Sequence, residues 1–158
     1  MRDVLNILFG WFLGLASTYL WMWVNQQREK RGLIVALLGE IRDTSALVEQ
    51  LPAADYRTPA HVLGESYFSV FDSNASKLSS LNAADGEAVR AYYAAAKDYF
   101  DRLRSYRNLH DRWGGTGGPI VAQVEEMNIK LRRTDRETVL NLSRQATARL
   151  SVLLPKRK

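Results

Sequence analysis

The sequence predicts an all-α chain: an N-terminal transmembrane helix followed by an antiparallel helical bundle of about four helices. Three observations carry that expectation. Residues 4–24 form a run of 21 positions with no ionisable side chain. Four later stretches repeat apolar residues at three- and four-residue steps, which marks one buried face of a helix. No stretch alternates in the two-residue period of a half-buried strand.

As a helix, the uncharged run extends roughly 31 Å at about 1.5 Å per residue, against a hydrocarbon core of about 30 Å. Trp11 lies inside it, whereas Tyr19, Trp21 and Trp23 gather at its C-terminal end, where amphipathic rings favour the headgroup layer. The rival is a secretory signal, because Gly14-Leu15-Ala16 resembles a cleavage site. The apolar run continues past Ala16 as far as Val24, and Arg2 before it stands beside Asp3, so an uncleaved anchor is expected. Arg28, Lys30 and Arg31 on the far side outnumber Arg2 on the near side. That bias puts the C-terminal domain on the cytoplasmic side of the inner (plasma) membrane, as a single-pass protein. Gly10 and Gly14 form a small-xxx-small pair that Thr18 extends by one turn. Such a face lets two helix backbones approach closely, so self-association and a homo-oligomer are expected.

Beyond a basic juxtamembrane segment at 25–32, the bundle is expected over residues 33–154. Its first stripe is Ile34, Leu37, Leu38, Ile41, Ser45, Val48 and Leu51, stopped by Pro52. The second is Leu63, Tyr67, Val70, Phe71, Ala75, Leu78 and Leu81. The third is Val89, Tyr92, Tyr93, Ala96, Tyr99, Phe100, Leu103, Tyr106 and Trp113. The fourth runs from Ile120 through Val124, Met127 and Leu131, then Val139, Leu142, Ala146, Leu150 and Leu153. Pro52 and Pro59 separate the first two stripes, Asn82 is placed to cap the third, and "GGTGG" at 114–118 precedes Pro119 in the first turn of the fourth. Thr134-Asp135-Arg136-Glu137 has a capping-box pattern, which predicts a bend or restart there. Short connections favour up-down-up-down packing.

Charge is unevenly distributed. Residues 25–127 carry 12 basic and 14 acidic groups, and residues 128–158 carry 9 and 2. If the fourth helix returns toward the bilayer, the basic tail at 155–158, with Lys156, Arg157 and Lys158, arrives beside Arg28, Lys30 and Arg31. The two clusters then form a collar facing anionic headgroups, each charge contributing about 1 kcal/mol before salt screening.

The search for chemistry is mostly negative. The chain has no cysteine, which removes thiolate metal sites and a cysteine nucleophile. His61 and His110 lack helical zinc-site spacing, and His110 shares a face with Tyr106 and Trp113 as a packed residue does. "GGTGGP" has neither the preceding strand nor the following Lys-Ser/Thr of a phosphate loop. Asp98 and Asp101, or Glu125 and Glu126, sit among basic residues in the manner of a solvated charged face. No metal, cofactor, catalytic residue or nucleic-acid partner is expected. Tyr92, Tyr93, Tyr99 and Phe100 have core spacing, yet their paired arrangement is wider than one seam, which makes them a candidate face for a protein partner.

The segments "LLGEIRDTSALVEQL", "FDSNASKLSSLN" and "VRAYYAAAKDYFDRL" resemble the small bacterial and phage membrane proteins that join one N-terminal transmembrane helix to a helical domain. The resemblance covers most of the chain through helix patterns, implies an anchored helical protein and transfers no active site. The leading expectation is a non-enzymatic, membrane-anchored interaction or assembly module. The alternative is an envelope-acting protein, a phage inner-membrane lysis subunit or a membrane-perturbing defence effector. A lysis subunit needs its domain in the periplasm, and Pro52 and Pro59 interrupt the long coiled coil usual for one.

Overall fold

Helix α1 runs without a break from Arg2 to Gln50, 49 residues and about 74 Å at 1.5 Å per residue. It contains no proline, and its centre, Gln26 to Arg31, consists of strong helix formers. These carry the helix through Gly32 and the whole basic segment at 25–32. One glycine costs about 1 kcal/mol, and the flanking residues supply more. The computed structural model describes the backbone of residues 2–50, 68–113 and 119–154, excepting the side chains of 2–8, 107, 109–113, 119–121, 123, 124, 128 and 132.

The remaining elements are also helical, and no strand occurs among the described residues. Helix α2 spans Ser69–Asn74 and passes into a 3-10 turn, Ala75–Ser80. Helix α3 spans Ala83–Trp113 and α4 spans Pro119–Lys130. A π-helical turn, Leu131–Asp135, joins α4 to α5, Arg136–Val152. Asn82 caps α3 as expected, its Oδ1 accepting the Asp85 N–H at 2.8 Å while its Nδ2 donates to the Asp85 carboxylate at 2.6 Å. The capping box at Thr134–Glu137 does not form. Asp135 and Lys130 both have helical dihedrals, so the helix continues through the π turn instead of restarting.

Side-chain bonds fix the directions of the elements. Arg136, opening α5, donates to the Val48 and Glu49 carbonyls that close α1 (3.2 and 3.1 Å). Arg149, near the end of α5, lies 3.7 Å from Asp85 at the start of α3. The Tyr92 and Tyr93 hydroxyls reach Ile41 and Glu40 on α1. Thus α3 runs parallel to α1, and α5 runs antiparallel to both. The α2 segment descends along α3 from Phe68, against Phe100, to Leu78, whose carbonyl lies beside Gly86. The up-down-up-down order predicted from the short connections describes these elements.

One core joins Ile34, Leu37, Ile41 and Val48 of α1, Val89, Tyr92, Tyr93 and Ala96 of α3, and Val139, Ala146 and Leu150 of α5. The sequence stripe placed Ser45 on that face; Thr44 is the buried residue, its hydroxyl bonded to the Glu40 carbonyl at 2.7 Å. After Asn74 the second stripe continues in a 3-10 turn and not in regular α-helix. Asn74, Ser79 and Ser80 each donate a side-chain bond to a nearby carbonyl, local alternatives that compete with regular helix. Leu63 and Tyr67 lie outside the described residues.

Helix α2 has no buried residue and no cap of its own. Its N-terminus is closed by Glu40 of α1, whose Oε1 accepts the Val70 N–H at 2.8 Å and whose Oε2 accepts the Phe71 N–H at 3.0 Å. Two of the donors orphaned at any helix start are satisfied in this way, and the charge favours the positive end of the helix dipole. Glu40→Ala is expected to destabilise the fold by about 2–3 kcal/mol, since bonds to a charged acceptor contribute about 1.5–3 kcal/mol. Hydrogen exchange checks it: the Val70 and Phe71 amides lose protection before the α5 amides do.

Candidate functional site

The paired aromatics proposed as a partner face are buried. Tyr92, Tyr93, Tyr99 and Phe100 all belong to the core, which corrects that expectation. Helix α3 needs a wide apolar face because two different neighbours share it. Tyr92 turns to α1, its hydroxyl 3.4 Å from the Ile41 carbonyl. Tyr93 turns to α2, stacks on Phe71 with ring centroids 4.0 Å apart, and donates to Glu40 Oε2 at 2.6 Å. Phe68 meets Tyr93 and Phe100 edge to face at 5.8 and 5.9 Å. Lys97 pairs with Asp72 and lies 5.6 and 5.4 Å from the Phe68 and Phe71 ring centroids, a cation–π contact. The second aromatic of each pair is taken up within the chain.

Glu40 is the residue that the sequence reading passed over. It stands three residues after Leu37 and one before Ile41, at the edge of the α1 stripe. A carboxylate in that position was the available signal.

A second polar cluster sits at the π turn. Arg102 bridges Asp98 at 2.8 Å and Asp135 at 3.2 Å. These hydrogen bonds, first to Asp98, raise the guanidinium pKa further. The cleft beside it, about 440 Å³, is lined by Arg102, Glu126, Met127, Lys130, Leu131 and Asp135. Local π-helical turns often accompany functional sites. Here the turn sets Asp135, whose side chain is 17% exposed, against Arg102 and so ties α3 to the α4–α5 junction. Among the described residues, no imidazole or hydroxyl nucleophile lines the cleft. No metal-holding cluster occurs among the described residues. The side chain of His110, and His61 altogether, lie outside them.

The described residues of the N-terminal apolar run stand apart from the core. Phe9, Phe12, Leu13, Leu20, Trp21 and Trp23 are exposed, with Trp11 at 69% and Tyr19 at 77%. At Gly10 and Gly14 a Cβ would meet nothing within 4 Å. The Ser17 and Thr18 hydroxyls both donate to the Gly14 carbonyl, at 3.1 and 2.9 Å. Thr18 therefore spends its donor inside its own helix. Among the described residues, no helix is long and apolar enough to cross a membrane. Of the basic cluster, Arg28 and Arg31 are exposed and Lys30 is half-buried, while Lys156, Arg157 and Lys158 lie outside the described residues. No protein-family model, curated protein or solved structure matches the chain.

Burial pushes the Tyr92 and Tyr93 hydroxyls well above the usual phenol range. The hydrogen bond to Glu40 adds to the effect at Tyr93, and burial also raises Tyr99. Above about pH 10 the unfolded chain loses phenolic protons that the folded chain keeps. Stability is therefore full below that pH and falls as pH rises beyond it. In an alkaline titration the phenolate absorbance of Tyr92 and Tyr93 is expected to emerge together with loss of the helical circular-dichroism signal. Ionisation of Tyr93, isolated with Tyr93→Phe, while the helices remain intact contradicts this.

Proposed function

We propose that the chain is a membrane-anchored, non-enzymatic helical module that self-associates and serves interaction or assembly at the inner membrane. The observation that carries the reading is the bare apolar helix at 9–23, continuous with a bundle in which Val35, Ile129 and Val152 are the large apolar residues exposed among those described. A helix apolar on all sides belongs in a protein core or in lipid, and exposed surface of that kind marks an interaction or membrane site. The aliphatic Val4, Leu5, Ile7 and Leu8 precede the first described side chain. The described part of the run owes its modest hydropathy to Trp, Tyr, Gly, Ser and Thr, none of which is charged. The internal hydroxyl bonds at Gly14 suit a lipid setting, where an unpaired polar group costs several kcal/mol.

Self-association is assigned to Gly10 and Gly14, whose open backbone permits close helix approach. Arg28, Lys30 and Arg31 orient the domain toward the cytoplasm. Because α5 runs antiparallel to α1, the chain after Val152 leaves the bundle near the level of Leu33. Lys156, Arg157 and Lys158, which lie outside the described residues, are proposed to join the same basic collar against anionic lipid.

The chain is expected to remain in the membrane pellet after alkaline carbonate extraction. Leu13→Arg, with an insertion cost of about 2.5–3.5 kcal/mol, is expected to move a substantial fraction to the supernatant. Recovery of the unmodified chain in the supernatant overturns the anchored reading. A reporter after Lys158 gives cytoplasmic fluorescence under this orientation; periplasmic phosphatase activity favours the envelope-acting alternative. Deleting Lys156–Lys158 is expected to weaken binding of the chain to anionic vesicles at low salt, and unchanged binding removes the collar.

A further inference from the structure

The outer face of α1, opposite the core, is bare along the bundle. Leu33, Ile34, Leu37, Ile41, Thr44 and Val48 point inward, whereas Gly32, Val35, Ala36, Gly39, Arg42 and Asp43 are exposed, Val35 at 57%. Between residues 28 and 43 its flanking charges are sorted. Seen down the axis at about 100° per residue, Val35, Gly39 and Gly32 lie centrally, with Arg28 on the same line. Arg31 and Arg42 fall to one side of this line, Glu29 and Asp43 to the other. Among the described residues none of these five side chains has an ion-pair or hydrogen-bond partner. None has an opposite charge three or four residues away, the distance at which helix neighbours meet.

We infer that this face docks a second copy of the same chain, with the two α1 helices parallel and the bundles turned outward from the shared axis. In a parallel two-fold pair the left flank of one helix adjoins the right flank of the other. Arg31 and Arg42 of each copy then meet Glu29 and Asp43 of its partner on both sides. In an antiparallel pair like flanks meet, and arginine faces arginine, so the charge pattern selects the parallel sense. The face is continuous with the one proposed for the anchor. Gly14 and Gly32 are 18 residues apart, about five turns, as are Gly10 and Arg28. A Cβ at Gly32 or Gly39 would meet nothing within 4 Å, so the two backbones can close on Val35. The pairing deepens the self-association proposed above and rests on the anchored reading only in that a shared bilayer also holds both copies parallel.

The chain contains no cysteine, so single-cysteine variants of the full chain in membranes report contacts directly. Val35→Cys and Gly39→Cys are expected to give disulfide-linked dimers on mild oxidation, and Thr147→Cys, exposed on α5, is expected to stay monomeric. Equal cross-linking at all three positions overturns the inference. Arg31→Glu with Arg42→Glu is expected to raise the dimer dissociation constant roughly tenfold. Adding Glu29→Arg and Asp43→Arg, which exchanges the flanks, restores it; no recovery also overturns the inference. A chain that resists carbonate extraction yet fails to cross-link keeps the anchor and loses the pairing. One that cross-links in the supernatant does the reverse.

Discussion

The Glu40 carboxylate is the point on which the bundle's second layer depends. It lies on α1, closes the start of α2 through two backbone N–H groups and receives the Tyr93 hydroxyl from α3. Three elements distant in sequence meet at two oxygen atoms. A six-residue helix is too short to persist unaided, since nucleation is costly and propagation needs length. Its position is therefore borrowed from α1. With Glu40 in place, Phe71 lies on Tyr93, Lys97 reaches Asp72, and the outer half of the α3 aromatic stripe is covered.

The same arrangement explains why α3 carries adjacent aromatics. A helix with one neighbour needs a narrow stripe, but α3 packs against α1 and α5 on one side and α2 on the other. Tyr92 and Tyr93 divide these duties, and burial holds both hydroxyls protonated far into the alkaline range. Polar bonds at the ends of the bundle set its register. Arg136 grips the last carbonyls of α1, and Arg102 fastens α3 to the π turn through Asp135. Each of these contacts pairs a charged group with a specific acceptor, which orients the helices more strictly than apolar packing does.

Much of the fold was legible because helical periodicity is a local property. The stripes of α1, α3 and α5 anticipated Ile34, Leu37, Ile41, Val89, Ala96, Val139, Ala146 and Leu150 correctly. Asn82 was readable as a cap because its partner Asp85 is three residues away. What escaped depends on contacts distant in sequence. Glu40 capping a helix 30 residues later has no local signature beyond a carboxylate at the edge of a stripe. The capping-box letters at Thr134–Glu137 were overruled by packing that carries the helix through a π turn. The basic segment at 25–32 continues α1 because helix formers on both sides outweigh one glycine. Tyr92, Tyr93, Tyr99 and Phe100 looked like a surplus because their arrangement is wider than one seam, whereas two neighbours share that face.

An unbroken α1 also has a mechanical meaning. Embedded in a bilayer as proposed, it is a stiff lever with its fulcrum at the headgroup layer. Helices whose apolar length exceeds the local bilayer thickness accommodate by tilting, about 20° on average. From Val24 to Gln50 the lever arm is about 39 Å, so a 20° change in tilt sweeps the far end of the bundle sideways by about 13 Å. Local lipid thickness is thereby converted into the lateral position of the whole domain, with no hinge in between to absorb it.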